Sequence, residues 1–203
     1  MQKAFSKRRA LLKLLAGSCL LTPVVSQAAD KSGYKVGDRL PQKPPAAAGF
    51  AETKWEALMP ADWNPFKDLQ ALNLGGLSDA DPRAINALEQ LRAALDNAPI
   101  VPSLHGARIR IAGFTVPLES ARGQLSEFLL VPYFGACIHT PPPPSNQIIH
   151  VTTAKPYKSD QQIDAVWISG ELQTIRSETG VGNASYRMKA DAVEPYVRPT
   201  PVR

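Results

Sequence analysis

The sequence predicts a mainly β (α+β) protein built on a small β-barrel of the OB-like type, with one or two accessory helices. Five short segments after residue 106 show the alternation or the apolar runs of β-strands, and glycines interrupt two of them. Small barrels are typically made of such short strands, which bend at glycines to close the sheet. A β-sandwich is the alternative that the same pattern allows.

Five strands are predicted. The segment 107–116 alternates apolar with basic or polar residues, and Gly113 breaks the alternation as a bulge or tight bend would. The segment 125–131 is a short apolar run, which is typical of a buried strand. The other predicted strands are 147–152, 165–175 with a kink at Gly170, and 184–193.

Two segments before the strands are predicted as helices. The segment 55–59 forms a short helix that Pro60 ends. Asp81 and Pro82 begin a longer one, because Asp caps a helix well and Pro fits the first helical position. Apolar residues then recur at helical spacing up to Asp96, namely Ile85, Leu88, Leu91 and Leu95. We expect both helices to pack on one end or side of the barrel.

Residues 1–28 have the parts of an export signal. Lys7, Arg8 and Arg9 precede an apolar run, and Ser26-Gln27-Ala28 has small residues where signal peptidase requires them. We predict cleavage after Ala28 and a location in the bacterial periplasm. The paired arginines followed by two leucines and Lys13 resemble a twin-arginine signal, with an ordinary secretory signal as the alternative. The apolar run is shorter than the roughly 20 residues of a membrane span.

The rest of the chain is predicted as one domain with flexible ends. The segment 29–51 is polar and then rich in Pro and Ala, so it is expected to be a flexible tether. The domain covers 52–196, and 197–203 is an extended tail. The sequence around Cys19 is similar to a lipoprotein cleavage box but has Ala where Leu is usual. We therefore do not expect a lipid anchor at Cys19.

The net charge of the chain comes from the predicted signal. The whole sequence has 23 Lys and Arg against 18 Asp and Glu, a net charge of +5. Residues 1–28 hold no acid and five of the cations: Lys3, Lys7, Arg8, Arg9 and Lys13. Subtracting those five from 23 leaves 18 cations against 18 acids. Because the remainder is neutral, no nucleic-acid partner is expected.

The residues best suited to metal chemistry gather in one segment. Cys137 is the one cysteine after the predicted cleavage site, and a lone thiol is unusual in an oxidising compartment. Cys137 and His139 would point to the same side of an extended chain, and a stiff proline run then leads towards His150. A thiolate and two imidazoles suit zinc, with copper as the alternative. We therefore predict a transition-metal site made by Cys137, His139 and His150, with His105 as a candidate fourth ligand.

Other interpretations of this segment stay open, including a structural role for Cys137 as a small buried hydrophobic residue. In one, the protein is a metal-independent adaptor that docks a membrane transporter or another envelope protein. Its docking residues would be Tyr133, Phe134, Pro141, Pro142, Pro143 and Pro144. In another, Cys137 and His139 form the activated thiolate of a hydrolase or transferase. Because no acidic residue lies beside them and prolines follow, we favour a role that is not enzymatic.

Several motifs resemble a bacterial family of exported, lipoprotein-like proteins known as domain of unknown function 3299. The most specific is Gly135-Ala136-Cys137-Ile138-His139 with the prolines after it, and Asn146-Gln147 and the block from Trp55 to Leu58 are also similar. The resemblance covers about residues 52–196 and implies no enzymatic activity. It implies a setting beside ABC-transporter permeases and ATPases linked to metal supply. An ABC-transporter permease or another envelope protein is therefore the expected partner, with Cys137, His139 and His150 as site residues.

Overall fold

The computed structural model describes residues 33–41, 49–65, 67, 78, 80–121, 123–137, 142–159 and 163–198. The predicted export signal, Cys19, His139 and Pro141 lie outside these residues. The strands are β1 (Ala51–Glu52), β2 (Ala107–Ala121), β3 (Gln124–Val131), β4 (Ile149–Lys158), β5 (Ala165–Gln173), β6 (Ser177–Glu178), β7 (Asn183–Ala184) and β8 (Tyr186–Pro195). Helix α1 covers Pro82–Asp96, and 3-10 turns cover Trp55–Leu58, Pro102–Leu104 and Ser145–Gln147.

Five strands close into a barrel. β2, β3 and β4 form an antiparallel meander, β4 pairs in parallel with β8, and β8 pairs antiparallel with β5. An antiparallel pairing of β5 with β2 closes the ring. When these five strands are numbered in chain order, neighbours follow the order 1-2-3-5-4-1, which is that of the OB fold. The predicted small barrel is thus confirmed, and the sandwich alternative is wrong.

The barrel strands are apolar on the inside and, in part, on the outside. Inward side chains form the main core, with Ile111, Phe128, Leu130, Ile149 and Met188 among its buried members. The outward side chains of β2 and β3 join a second apolar cluster that includes Phe114, Leu129, Val131, Phe134 and Trp167. Parts of these two strands are therefore buried on both faces.

Residues 33–41, inside the segment predicted as a tether, lie against the outer apolar cluster. The ring of Tyr34 meets Phe114 edge-on at 5.1 Å between centroids and stacks on Phe134 at 6.0 Å. Leu40 is buried in the same cluster. This part of the segment therefore packs on the barrel and covers apolar surface that water would otherwise contact.

The predicted short helix is a 3-10 turn, and it packs into the barrel mouth. Trp55 and Leu58 are buried there. The indole Nε1 of Trp55 donates to the carbonyl oxygen of Ala112 at 2.7 Å, and the hydroxyl of Tyr186 donates to the carbonyl oxygen of Leu58 at 2.8 Å. Gln147 donates from its side chain to the carbonyl oxygen of Trp55 at 2.9 Å. These buried hydrogen bonds join segments that are far apart in the sequence.

Helix α1 has the predicted bounds, and the side chain of Asp81 caps it by accepting from the backbone N–H of Arg83 at 2.9 Å. Its apolar stripe is less buried than expected, because Ile85 and Leu88 remain 46% and 47% exposed. Helical periodicity shows which face is apolar but does not show what covers it. No helix in the described parts of the chain is long and apolar enough to span a membrane.

Two glycines allow close approach between strands. Gly113 does not form the expected bulge, since its pairing with Val166 continues the register on both sides. A Cβ atom there would lie 2.8 Å from the carbonyl oxygen of Val131. At Gly170 the predicted irregularity is confirmed by a register shift next to Ser169. A Cβ atom at this position would overlap the carbonyl oxygen of Lys189.

The remaining strand predictions are correct in position but not in their ends. The strand predicted at 147–152 begins at Ile149 and continues to Lys158. Gln147 instead belongs to a 3-10 turn, in which its backbone N–H donates to the carbonyl oxygen of Pro144 at 2.7 Å. The first strand also continues past its predicted end, to Ala121.

Gly170→Ala is expected to lower the free energy of unfolding by about 1–3 kcal/mol, because the methyl group meets backbone that cannot move away. Gly180→Ala is the matched control, since nothing lies within 4 Å of a Cβ atom at that position. Its effect should stay within about 0.5 kcal/mol. Urea unfolding of both variants measures the two values, and equal values would contradict the proposed close approach.

Candidate functional site

The described residues of the predicted metal site, Cys137, His150 and His105, lie near one end of the barrel. Register places the end of β3 beside the start of β4, and the start of β4 beside the start of β8. The end of β5 lies beside the starts of β8 and β2. The connections 132–148 and 174–185 therefore leave the barrel at the same end, together with His105 just before β2. Cys137 is on the first of these connections, and His150 is the second residue of β4.

Cys137 occupies an unusual backbone conformation. Its φ of 63° makes it the one non-glycine residue with positive φ among those described. The residue is half-buried and packs against the outer apolar cluster. Its Sγ lies beside Gly182 of the connection 174–185, where an added Cβ atom would be 3.5 Å from the sulfur and 3.4 Å from Cδ1 of Ile148. Two separate connections therefore meet at the thiol.

Burial raises the pKa of the Cys137 thiol from 9.0 to about 11. The thiol is therefore protonated near neutral pH and is a poor nucleophile by itself. Its protonated form contributes fully to stability below pH 9, and the contribution is lost as the pH rises towards 11. This direction of shift is opposite to the one that an activated catalytic thiolate requires. The Cys-dependent enzyme stays an alternative, because its base His139 lies outside the described residues.

His150 is buried on the outer face of the barrel and hydrogen-bonded through both ring nitrogens. Its Nε2 lies 2.6 Å from Oε1 of Glu127 on β3, and its Nδ1 lies 2.9 Å from Oγ of Ser177 on β6. Arg187 lies on β8 and pairs with His150 in register. Its guanidinium Nε donates to the same Ser177 Oγ at 2.5 Å. Two polar side chains, Glu127 and Ser177, therefore hold His150, and Arg187 in turn holds Ser177.

The four side chains Glu127, His150, Ser177 and Arg187 are called the His150 cluster below. Glu127, His150 and Arg187 lie on the outer face of the second, third and fifth barrel strands, and Ser177 belongs to the connection between the fourth and fifth. In OB folds, ligands commonly bind at this face and this connection. Leu129, which pairs with His150 in register, belongs to the apolar cluster that Cys137 contacts. The cluster and Cys137 therefore share one outer face.

The described residues do not complete the predicted metal site. His139 lies outside them, and His105 has its Nδ1 3.0 Å from Oγ1 of Thr174 while accepting a hydrogen bond from the Thr174 backbone N–H at 3.2 Å. Within the described part of the chain, no three or more His, Cys, Asp or Glu side chains are grouped so as to hold a metal ion. The metal site stays a prediction that depends on Cys137 and His139.

The predicted docking residues are divided between surface and core. Phe134 is 3% exposed and packs edge-on against Phe114 at 5.6 Å, so it cannot contact a partner directly. Pro143 is also buried, whereas Pro142 is exposed and Tyr133 is half-buried beside Arg39. Phe134 and Pro143 are therefore buried in this structure. Docking through this segment stays a prediction, and Pro142 is its exposed residue among those described.

Sequence reasoning did not find three members of the His150 cluster. Glu127, Ser177 and Arg187 lie in different strands, and no local motif connects them. The sequence offered one weak sign, which is that each of them is a polar residue within or just after a predicted strand. Their meeting depends on the register between strands, which a single sequence does not contain.

The Cys137 thiol is expected to react with iodoacetamide about a hundredfold more slowly near neutral pH than an ordinary thiol. The reason is that burial raises the pKa of the thiol from 9.0 to about 11, and near neutral pH the thiolate fraction falls tenfold for each rise of one in the pKa. The rate is measured in a Cys19→Ser background, where Cys137 is the remaining thiol. The same protein unfolded in guanidinium is the control and should react at the ordinary rate. Equal rates in the folded and unfolded protein would contradict the desolvation of the thiol.

Comparison with known proteins shows a family but no activity. The family model described as "Protein of unknown function (DUF3299)" matches residues 55–195. A crystal structure of a DUF3299 family protein from Pseudomonas aeruginosa PAO1 is similar, with 36% sequence identity and a TM-score of 0.57. That alignment covers 74% of this chain and 99% of the other. The comparison with curated proteins gave no match. By family match and by fold, the chain belongs to the DUF3299 family.

Proposed function

We propose that this chain is an exported periplasmic protein that binds a transition metal, zinc by preference, as an accessory to ABC-type transport or metal homeostasis. Cys137 and His139 supply the first two donors. The observation that carries the proposal is that the one described non-glycine residue with positive φ is also the one cysteine after the predicted signal. Strained backbone is concentrated at functional sites, where the surrounding structure holds it in place.

The cost of this conformation supports a role for the side chain at position 137. A left-handed backbone costs an ordinary residue roughly 1–2 kcal/mol, and glycine adopts it without that penalty. Six described glycines in this chain have positive φ, including Gly135 two residues earlier. A cysteine therefore occupies a position whose backbone favours glycine, which points to a use for the thiol.

The chemistry of a desolvated thiol also favours a metal over catalysis. Burial keeps the free thiol protonated, but a bound metal ion deprotonates a coordinating thiol outright. A thiolate and an imidazole are the donors that zinc and copper accept. His150 has both ring nitrogens engaged, so it can join the donor set only by releasing Ser177 or Glu127. We therefore rank His150 below Cys137 and His139 as a metal ligand.

An envelope protein, such as an ABC-transporter permease, is the proposed partner. Pro142 is exposed, and an added Cβ atom at Gly182 would lie 3.7 Å from its Cβ and 3.5 Å from Sγ of Cys137. A partner that contacts Pro142 and Tyr133 would thus bind at the end of the barrel where the Cys137 thiol lies. Proline-rich segments bind at low entropic cost because they are already extended. Such a contact would couple docking to the metal site.

The test is a titration of the purified protein without its first 28 residues, with zinc and separately with copper, followed by calorimetry. One equivalent of metal is expected to bind. Cys137→Ala and His139→Ala should each lower the affinity more than about 100-fold, because loss of a direct ligand exceeds the loss of its supporting hydrogen bonds.

His105→Ala tests the candidate fourth ligand. It should keep the stoichiometry at one, with a weaker affinity only if His105 is the fourth donor. A wild-type stoichiometry of zero would overturn the proposal. Binding that survives both Cys137→Ala and His139→Ala would overturn the assignment of the donors.

A further inference from the structure

The hydrogen bonds of the His150 cluster are compatible with one tautomer in which serine, imidazole and carboxylate follow one another as donors and acceptors. Arg187 Nε can only donate, so it occupies a lone pair of Ser177 Oγ. Among the described contacts of Ser177, the acceptor left for its hydroxyl proton is Nδ1 of His150, at 2.9 Å. In the tautomer in which Ser177 donates to Nδ1, the ring proton lies on Nε2 and is donated to Glu127 at 2.6 Å.

The resulting order is serine hydroxyl to imidazole to carboxylate, which is the order of a nucleophilic serine triad. The two ring nitrogens are exchanged relative to the common arrangement, with serine on Nδ1 and the carboxylate on Nε2. Either nitrogen of a neutral imidazole can act as the base. From this geometry we propose that Ser177, His150 and Glu127 form a nucleophilic site that takes the acyl group of carboxylic esters.

Charge favours this chemistry. The positive guanidinium of Arg187 lies at Ser177 Oγ and favours loss of its proton. The Glu127 carboxylate stabilises the imidazolium that forms when His150 accepts the proton. Ser177 is 4% exposed and His150 is 9% exposed, whereas the Glu127 side chain is 37% exposed and Arg187 is exposed, so water screens both charges in part.

Access to Ser177 depends on the β6–β7 hairpin. Each of its strands has two residues, and a hairpin of this kind is marginally stable by itself. Small elements like this open locally at much lower free energy than the whole domain. Ser177 lies on β6, so an ester reaches it only when β7 moves away while Ser177 stays bonded to His150, and acylation is therefore expected to be slow.

Acylation of Ser177 needs no reactant other than the ester, and hydrolysis of the acyl group then needs only water. Ser177 Oγ bonds to the ester carbonyl carbon while its proton passes to Nδ1 of His150. The bond between that carbon and the alcohol oxygen then breaks, and the alcohol leaves with the proton from Nδ1. The products are an acyl ester of Ser177 and a free alcohol. Water then attacks the acyl ester by the same route, which restores the serine and releases a carboxylic acid.

The test uses a fluorophosphonate probe and p-nitrophenyl acetate on the folded protein, with mass spectrometry to locate the adduct. We expect a single adduct on Ser177. Ser177→Ala should abolish it, and His150→Gln should slow labelling at least about 100-fold, which is the size expected for loss of a general base. Ser185→Ala is the matched control. That hydroxyl is also buried but donates to Oγ of Ser145 at 2.8 Å, so labelling should be unchanged.

Mapping the adduct in the wild-type protein does not depend on how any variant folds. Absence of an adduct at Ser177, while a known serine esterase is labelled in parallel, would overturn the proposal. An adduct on other serines, or labelling of His150→Gln at the wild-type rate with an unchanged circular dichroism spectrum, would overturn it as well.

Discussion

Closure of the barrel by the antiparallel pairing of β2 with β5 is the constraint on which the rest of the structure depends. The pairing extends from Ala107 opposite Leu172 to Phe114 opposite Ala165. Without it both strands would expose unpaired backbone N–H and C=O groups. Because successive side chains of a strand alternate between its two faces, closure decides which of them form the interior and which lie outside. Gly113 and Gly170 permit the close backbone approaches that this geometry needs.

On the outside of the closed barrel, the face formed by β3 and β4 has an apolar part and a polar part. Residues 33–41 cover some of the apolar part, and Cys137 packs against it. The polar part is the His150 cluster, which the β6–β7 hairpin covers. The connection 174–185 contacts both, since Gly182 lies beside the Cys137 thiol and Ser177 is bonded to His150. One short segment therefore shields both candidate sites from water, and its opening would affect both.

Much of the fold could be predicted from local pattern. The helix from Pro82 to Asp96 was predicted with its cap, because capping and proline placement act within one turn. Strand positions were predicted because alternation is also local, but their ends were not. The end of a strand depends on its partner, as with β4, which continues to Lys158 because β3 pairs with it there. Exposure of Ile85 and burial of Phe134 were not predicted, because burial depends on distant residues.

By itself the sequence determined the strand and helix periods, the helix cap, and the position of Cys137 two residues before His139. These features follow from residues that are close in the chain. Only the tertiary structure decided that the thiol is desolvated and that its backbone is left-handed. The tertiary structure also decided that His150 meets Glu127, Ser177 and Arg187. Those hydrogen bonds join residues that are 10 to 27 positions apart in the chain. The physical reason is that the register of a closed sheet is set by the packing of the whole barrel, and no local stretch of sequence contains that packing.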